Sequence, residues 1–187
     1  MEPIVTLPYS EWVVAQQLAK LLPARDGYSI FAPLSRQEKG VDLLVTRRAG
    51  SQTHAVTVQV KSSRTYEQPI SRGYKFGTWF NNFEVPEQAD FIALVSLYPA
   101  NQATSRSKAS TWWRPLVLLF KRKEMQSFVA NVKTRGGTRD KMFGFGFSTA
   151  RCVIQTRGDQ QGRELDFTAH ILARKLAALT QRLGTGK

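Results

Sequence analysis

Gly40-Val41-Asp42-Leu43-Leu44-Val45-Thr46-Arg47-Arg48-Ala49-Gly50-Ser51-Gln52-Thr53-His54-Ala55-Val56-Thr57-Val58-Gln59-Val60-Lys61 is the stretch on which the fold turns. Val41 to Arg48 and Thr53 to Lys61 carry apolar residues at the period of two that a half-buried strand requires. Between them, Gly50-Ser51 is a Gly-first two-residue signal suited to a type II′ turn. The pattern predicts an antiparallel hairpin. With Ala49 opposite Gln52, Leu43 falls against Val58, Val45 against Val56, and Asp42 against Gln59. Val41, Leu43, Val45, Val56, Val58 and Val60 then form one apolar face, and Asp42, Thr57, Gln59 and Lys61 project from the other.

Working outward, Tyr28 to Phe31 predicts a short strand before the hairpin. Ahead of it, Pro8 to Leu22 places Val14, Ala15, Leu18, Leu21 and Leu22 at helical spacing, with Pro23 as the stop. Glu11 precedes Val14, Ala15 and Leu18 by three, four and seven residues, so it shares the apolar stripe. A carboxylate there is costly unless something compensates it, although a first-turn acid also favours the helix dipole. Downstream, Asp90 to Tyr98 and Pro115 to Phe120 predict strands, and Arg122 to Val132 a helix. Phe143, Phe145 and Phe147 alternate as a strand with a buried face would. Leu165, Ala169, Leu172, Leu176, Leu179 and Leu183 predict a final helix over Arg163 to Leu183, with Gly184 as C-cap. The expectation is an α/β class in the broad sense, an α+β fold with a mixed sheet. Its order is α-β-β-β, an insertion, then β-β-α-α, in one domain over 1–187 elaborated at about 64–89 and 133–160.

Composition narrows the function classes. The chain has 187 residues, 42% apolar and 11% aromatic, the profile of one globular domain. Its longest apolar run, Pro115 to Phe120, has six residues, against roughly 20 for a membrane-spanning helix. No membrane partner is expected. The start, Met1-Glu2-Pro3-Ile4, lacks the basic and apolar regions of a secretory signal, and the single cysteine, Cys152, has no intrachain partner; both predict a cytoplasmic protein. The net charge is +13, with residues 1–90 contributing +1 and residues 91–187 contributing +12. A regional surplus of that size points to a polyanion, nucleic acid foremost.

Asp42, Gln59 and Lys61 converge in the predicted register. A magnesium ion takes hard oxygen ligands, often one or two carboxylates completed by water and a substrate phosphate. Asp42 can supply the carboxylate, Gln59 an amide oxygen and Val60 a backbone carbonyl. Lys61 can steady developing charge or orient a water, and Glu11 would add a second carboxylate if the first helix packs beside the hairpin. The same residues also read as a solvated sheet face on which they pair with one another.

Glu11 in an opening helix, Gly40-Val41-Asp42-Leu43-Leu44-Val45, and then Val58-Gln59-Val60-Lys61-Ser62-Ser63 together resemble the PD-(D/E)XK nuclease superfamily, which includes restriction enzymes and Holliday-junction resolvases. The likeness spans residues 9–63. It implies a mixed sheet flanked by helices, metal ligands at Asp42, Gln59 and the Val60 carbonyl, a catalytic lysine at Lys61 and a helix acid at Glu11. Two departures stand out. Val41 replaces the name-giving proline, and Gln59 replaces the usual acid, which removes one negative charge from the metal site and lowers its affinity for a divalent ion. Some branches of the superfamily carry Gln at this position.

The resulting expectation is a magnesium-dependent endonuclease, with manganese able to substitute, acting on nucleic acid, DNA first. Arg64, Lys75, Arg106, Lys108, Arg114, Lys121, Arg122, Lys123, Arg135, Arg139 and Lys141 are the expected phosphate contacts. Trp12, Trp112 and Trp113 read first as core or rim packing. His54 and His170 read as a surface and a structural histidine, and with Cys152 they show no zinc spacing. No phosphate-binding glycine loop or nucleophile elbow is present. A homodimer pairing two sites is a further expectation. The rival readings are a nucleic-acid-binding domain of the same fold whose catalysis has lapsed, and a protein-interaction domain.

Overall fold

The computed structural model describes residues 9–33, 39–99, 113–158 and 165–184. Helix α1 (Tyr9–Leu21) opens the fold, followed by strands β1 (Tyr28–Phe31), β2 (Leu43–Ala49) and β3 (Gln52–Glu67). The β2–β3 hairpin pairs Leu43 with Val58, Val45 with Val56 and Ala49 with Gln52, the register the turn predicts, and Gly50 takes a φ of 63°. Strands β5 (Phe91–Pro99) and β6 (Trp113–Lys121) complete the first sheet, with β5 parallel to β3 and antiparallel to β6. The sheet is therefore mixed, in the order β1-β2-β3-β5-β6.

One face of that sheet carries Val45, Val56, Val58, Val60, Ala93, Val95 and Leu119. It packs on Val14 and Leu18 of α1 and on Leu172, Leu179 and Leu183 of α3 (Leu172–Gly184). Two of the expected flanking helices thus lie on the same side. The opposite face carries Ile92, Leu94, Leu118 and Phe120. It is covered by helix α2 (Arg122–Ala130) and by a second small sheet of β4 (Phe76–Asn81), β7 (Met142–Phe147) and β8 (Val153–Arg157), joined to the far end of β3.

The second sheet explains Phe143-Gly144-Phe145-Gly146-Phe147. The three phenylalanines are buried among aromatic rings, and the glycines admit neighbours that a side chain would displace. A Cβ on Gly144 would lie 2.5 Å from the Trp79 ring, and one on Gly146 2.7 Å from the Tyr74 ring.

Three expectations need correction. Strand β3 runs six residues past Lys61, and the region expected as an insertion contains β4. The final helix begins at Leu172, not Arg163. Leu165 and Ala169 are exposed, because the chain before it bridges to Ile154 and then turns tightly over Thr168–His170, where Asp166 accepts the Thr168 N–H at 2.7 Å. Polar satisfaction of a tight turn outweighs helical spacing there. Finally, a sheet with α2 replaces the purely helical cover expected on one face.

His170 locks this turn to β6. Its ring stacks on Phe120 with centroids 4.2 Å apart, and Nδ1 lies 3.2 Å from the Leu119 carbonyl. Burial, aided by the nearby positive charge of Lys175, holds the imidazole below its usual 6.5, against the Leu119 carbonyl and Glu124. The unfolded chain therefore binds this proton first as pH falls, so stability should decline as pH drops below 6.5. Thermal melts across that range should show the decline in the native chain and a flatter profile in His170→Gln. Equal slopes in the two proteins would contradict the assignment.

Candidate metal and catalytic site

Strand β2 stops at Leu43, opposite Val58, whereas β3 continues and meets β4 only at Thr65. Strand β5 occupies the other edge of β3 from Val58 to Arg64, so β2 and β4 share one edge end to end and leave a gap between them. Asp42 closes the near side of this gap. Its N–H donates to the Val58 carbonyl at 3.0 Å, and its carboxylate Oδ2 accepts the Val60 N–H at 2.6 Å. A side chain thus makes the contact that the next backbone pair of the ladder would have made. In extended strand the N–H and C=O of one residue point to the same edge, so the Val60 carbonyl faces the same gap.

Gly40 sets the approach to Asp42. Its φ is +87°, and a Cβ there would come within 2.6 Å of the Pro86 Cβ, so only glycine lets this turn lie against the segment joining β4 to β5.

The paired register ends with Leu43 opposite Val58, and the Asp42 N–H donates to the Val58 carbonyl, so the expected Asp42–Gln59 cross-strand pair is not part of the ladder; the next residue of β3 is Gln59. It is only 7% exposed, and its Oε1 is buried without a hydrogen-bond partner among the described residues. Such an atom ordinarily costs about 1 to 3 kcal/mol. Lys61, two residues on along the same face, holds its ammonium 5.5 Å from the centre of the Phe83 ring, a cation–π contact. It lines a cleft of about 250 Å³ with Ser62, Ser63, Trp79 and Asn81. Thr57, on the same face in the other direction, is tied to the Asp90 carboxylate by its N–H at 3.0 Å and its hydroxyl at 3.2 Å, which fixes the start of β5 against β3.

The structure therefore brings the Asp42 carboxylate to Val60, the β3 residue between Gln59 and Lys61. The oxygen donors are a carboxylate, an orphaned buried amide and a carbonyl, a hard set that fits magnesium or manganese. Among the described residues no group of three or more His, Cys, Asp and Glu side chains is placed to hold a metal, so this set relies on neutral oxygens. Glu11 lies half-buried in the first turn of α1, the helix that packs on the other face of the sheet, and that turn approaches β3 at Ser62 to Tyr66.

The expected phosphate contacts do not form one stripe. Arg64 is exposed on the α1 side of β3, whereas Arg114 alternates with Trp113 to the opposite face. Lys75 lies over Phe76. Lys121, Arg122 and Lys123 gather with Arg182 around a cleft of about 460 Å³ at the other end of β6. Arg122 is partly committed there, its guanidinium donating to the Glu87 carbonyl. Arg135, Arg139 and Lys141 are exposed around the α2–β7 connection. Arg106 and Lys108 lie outside the described residues, as does Trp112.

Sequence reading missed Phe83, whose ring faces Lys61 across the sheet-to-sheet connection. Trp12 and Trp113, expected as core or rim packing, are about half exposed, with Trp12 stacked on Tyr9. The signal for Phe83 was its place in the aromatic stretch from Tyr74, but nothing local pairs it with a lysine 22 positions earlier.

If the Gln59 amide is a ligand and not a structural bond, Gln59→Leu should be neutral or stabilising in urea unfolding with chelator present, because it removes an unsatisfied oxygen. A loss exceeding about 1 kcal/mol would show that the amide already has a partner. Gly40→Ala should cost about 1 to 3 kcal/mol in the same measurement, through backbone strain and the Pro86 clash. An unchanged midpoint would contradict that reading. No family model, curated protein or solved structure matches the chain.

Proposed function

We propose that the chain is a metal-dependent nuclease of the PD-(D/E)XK kind, hydrolysing phosphodiester bonds in nucleic acid, with DNA as the first substrate to test. The observation that carries this reading is the orphaned Gln59 Oε1, buried on the residue that precedes Val60, whose N–H orients the Asp42 carboxylate. A buried acceptor with no donor is a poor structural device and a good cation ligand.

Asp42, Gln59 and the Val60 carbonyl would hold magnesium or manganese; Glu11, on the helix across the sheet, is not among these donors. Bound metal would supply Lewis-acid polarisation of the scissile phosphate and a water acidified for attack. The remaining work falls to this chain's own groups. The Val60 N–H keeps one Asp42 oxygen fixed, which leaves Oδ1 as the carboxylate atom free of that constraint. Phe83 restrains the Lys61 ammonium at the cleft, where a positive charge can stabilise the pentacoordinate phosphate or orient the incoming water. The net charge of +13 favours polyanion encounter, and such attraction weakens as salt rises.

Gln59 itself favours a second reading, a nucleic-acid-binding domain that no longer cleaves, because a neutral amide holds a divalent ion less firmly than a carboxylate. Cleavage assays separate the two. Wild type should nick DNA in magnesium or manganese, and Asp42→Asn and Lys61→Ala should each lose on the order of a hundredfold or more while still binding DNA. Gln59→Glu should restore or raise activity at low metal concentration. Equal residual cleavage in wild type and both loss variants would refute the nuclease, and binding without cleavage under every metal condition would establish the second reading.

A further inference from the structure

Tyr9, Tyr66 and Trp113 come from three distant parts of the chain, and each is about half exposed, at 51%, 48% and 52%. They line one groove of about 770 Å³ beside the start of α1, together with Arg64, Ser62 and Leu97. Large aromatic surface left in water at one place marks a binding surface. Two of the three rings are supported from behind. Tyr9 stacks on Trp12 at 5.7 Å, and Tyr66 leans on Trp79 at 5.2 Å, so little freedom is lost when something stacks on them. Among the described residues, those lining the groove include the cationic Arg64 and several hydroxyls but no acid. Ser62 and Ser63 line this groove and also the Lys61 cleft, so the two are adjacent across β3.

We propose that this groove binds an unpaired nucleic-acid strand, with bases stacked on Tyr9, Tyr66 and Trp113 and phosphates drawn to Arg64 and the serine hydroxyls, and leads it to the Lys61 cleft. The proposal rests on the nuclease reading for its neighbouring site and names the substrate of that site. Paired bases bury their faces in the duplex stack, so flat rings at a groove wall reward single strands selectively. A protein partner would also use aromatic anchors. The cationic Arg64 with no acid among the described lining residues, and the +13 charge of the chain, favour a polyanion instead.

Binding measured with chelator present tests the groove apart from catalysis. Fluorescence anisotropy of labelled oligothymidylate, oligouridylate and a duplex should be compared for the full chain, Tyr66→Ala, Trp113→Ala and Trp113→Phe. Each alanine variant should weaken single-strand binding about tenfold, Trp113→Phe should bind like wild type, and duplex affinity should stay within about twofold in all of them. Uridylate bound as tightly as thymidylate would mean that the rings ignore the sugar, which supports stacking equally. Alanine variants that bind oligothymidylate like wild type, or that lose single strand and duplex in parallel, would overturn the proposal. Stacking-dependent binding in a protein that cleaves nothing would sustain the groove while removing the nuclease.

Discussion

A single hydrogen bond, from the Val60 N–H to the Asp42 carboxylate at 2.6 Å, organises the centre of this molecule. It exists because β2 pairs with β3 only as far as Val58, while β3 goes on to meet β4 from Thr65 and serve a second sheet. The strand edge left between β2 and β4 must be satisfied by something other than backbone. Asp42 does this with a side chain, and so puts a charge where a ladder would have put an amide. Gly40, the Pro86 segment and the Thr57–Asp90 contacts all serve to hold that turn and its neighbours in place.

The chemistry follows from the same geometry. A strand edge relieved of backbone pairing exposes a carbonyl, the pleat places Gln59 and Lys61 on one face of β3, and the Gln59 amide is enclosed deeply enough to leave its oxygen without a partner among the described residues. Electrostatics alone would not select this place, because the excess positive charge is spread over several patches. What distinguishes it is a carboxylate clasping the Val60 N–H, with an unpartnered acceptor at Gln59 and a cation at Lys61 on either side of that residue.

Much of this was legible in the sequence where the determinants are local. The Gly50-Ser51 turn fixes the hairpin register from Leu43–Val58 to Ala49–Gln52, and the period of two assigns the valines to one face and Gln59 and Lys61 to the other. Long-range pairing was not legible. Ser62-Ser63-Arg64-Thr65 has no apolar alternation, yet it is strand because β5 pairs with it, the Ser63 hydroxyl donates to the Trp79 carbonyl of β4, and the Thr78 hydroxyl of β4 donates to the Arg64 carbonyl. The glycines of β7 make sense only once Trp79 and Tyr74 are seen to cross them. Leu165 and Ala169 keep helical spacing with Leu172, but a turn capped by Asp166 intervenes. The aromatic groove escaped for the same reason: Tyr9, Tyr66 and Trp113 meet only in the folded chain.

Calorimetric titration of manganese into the wild type and Asp42→Asn is the most direct measurement of whether this strand edge is a metal centre. One saturable site in the wild type, lost or weakened at least about tenfold when the carboxylate becomes an amide, is the result the geometry predicts. Identical heats in the two proteins, or no saturable binding in either, would mean that the Asp42 clasp on Val60 is a structural device alone.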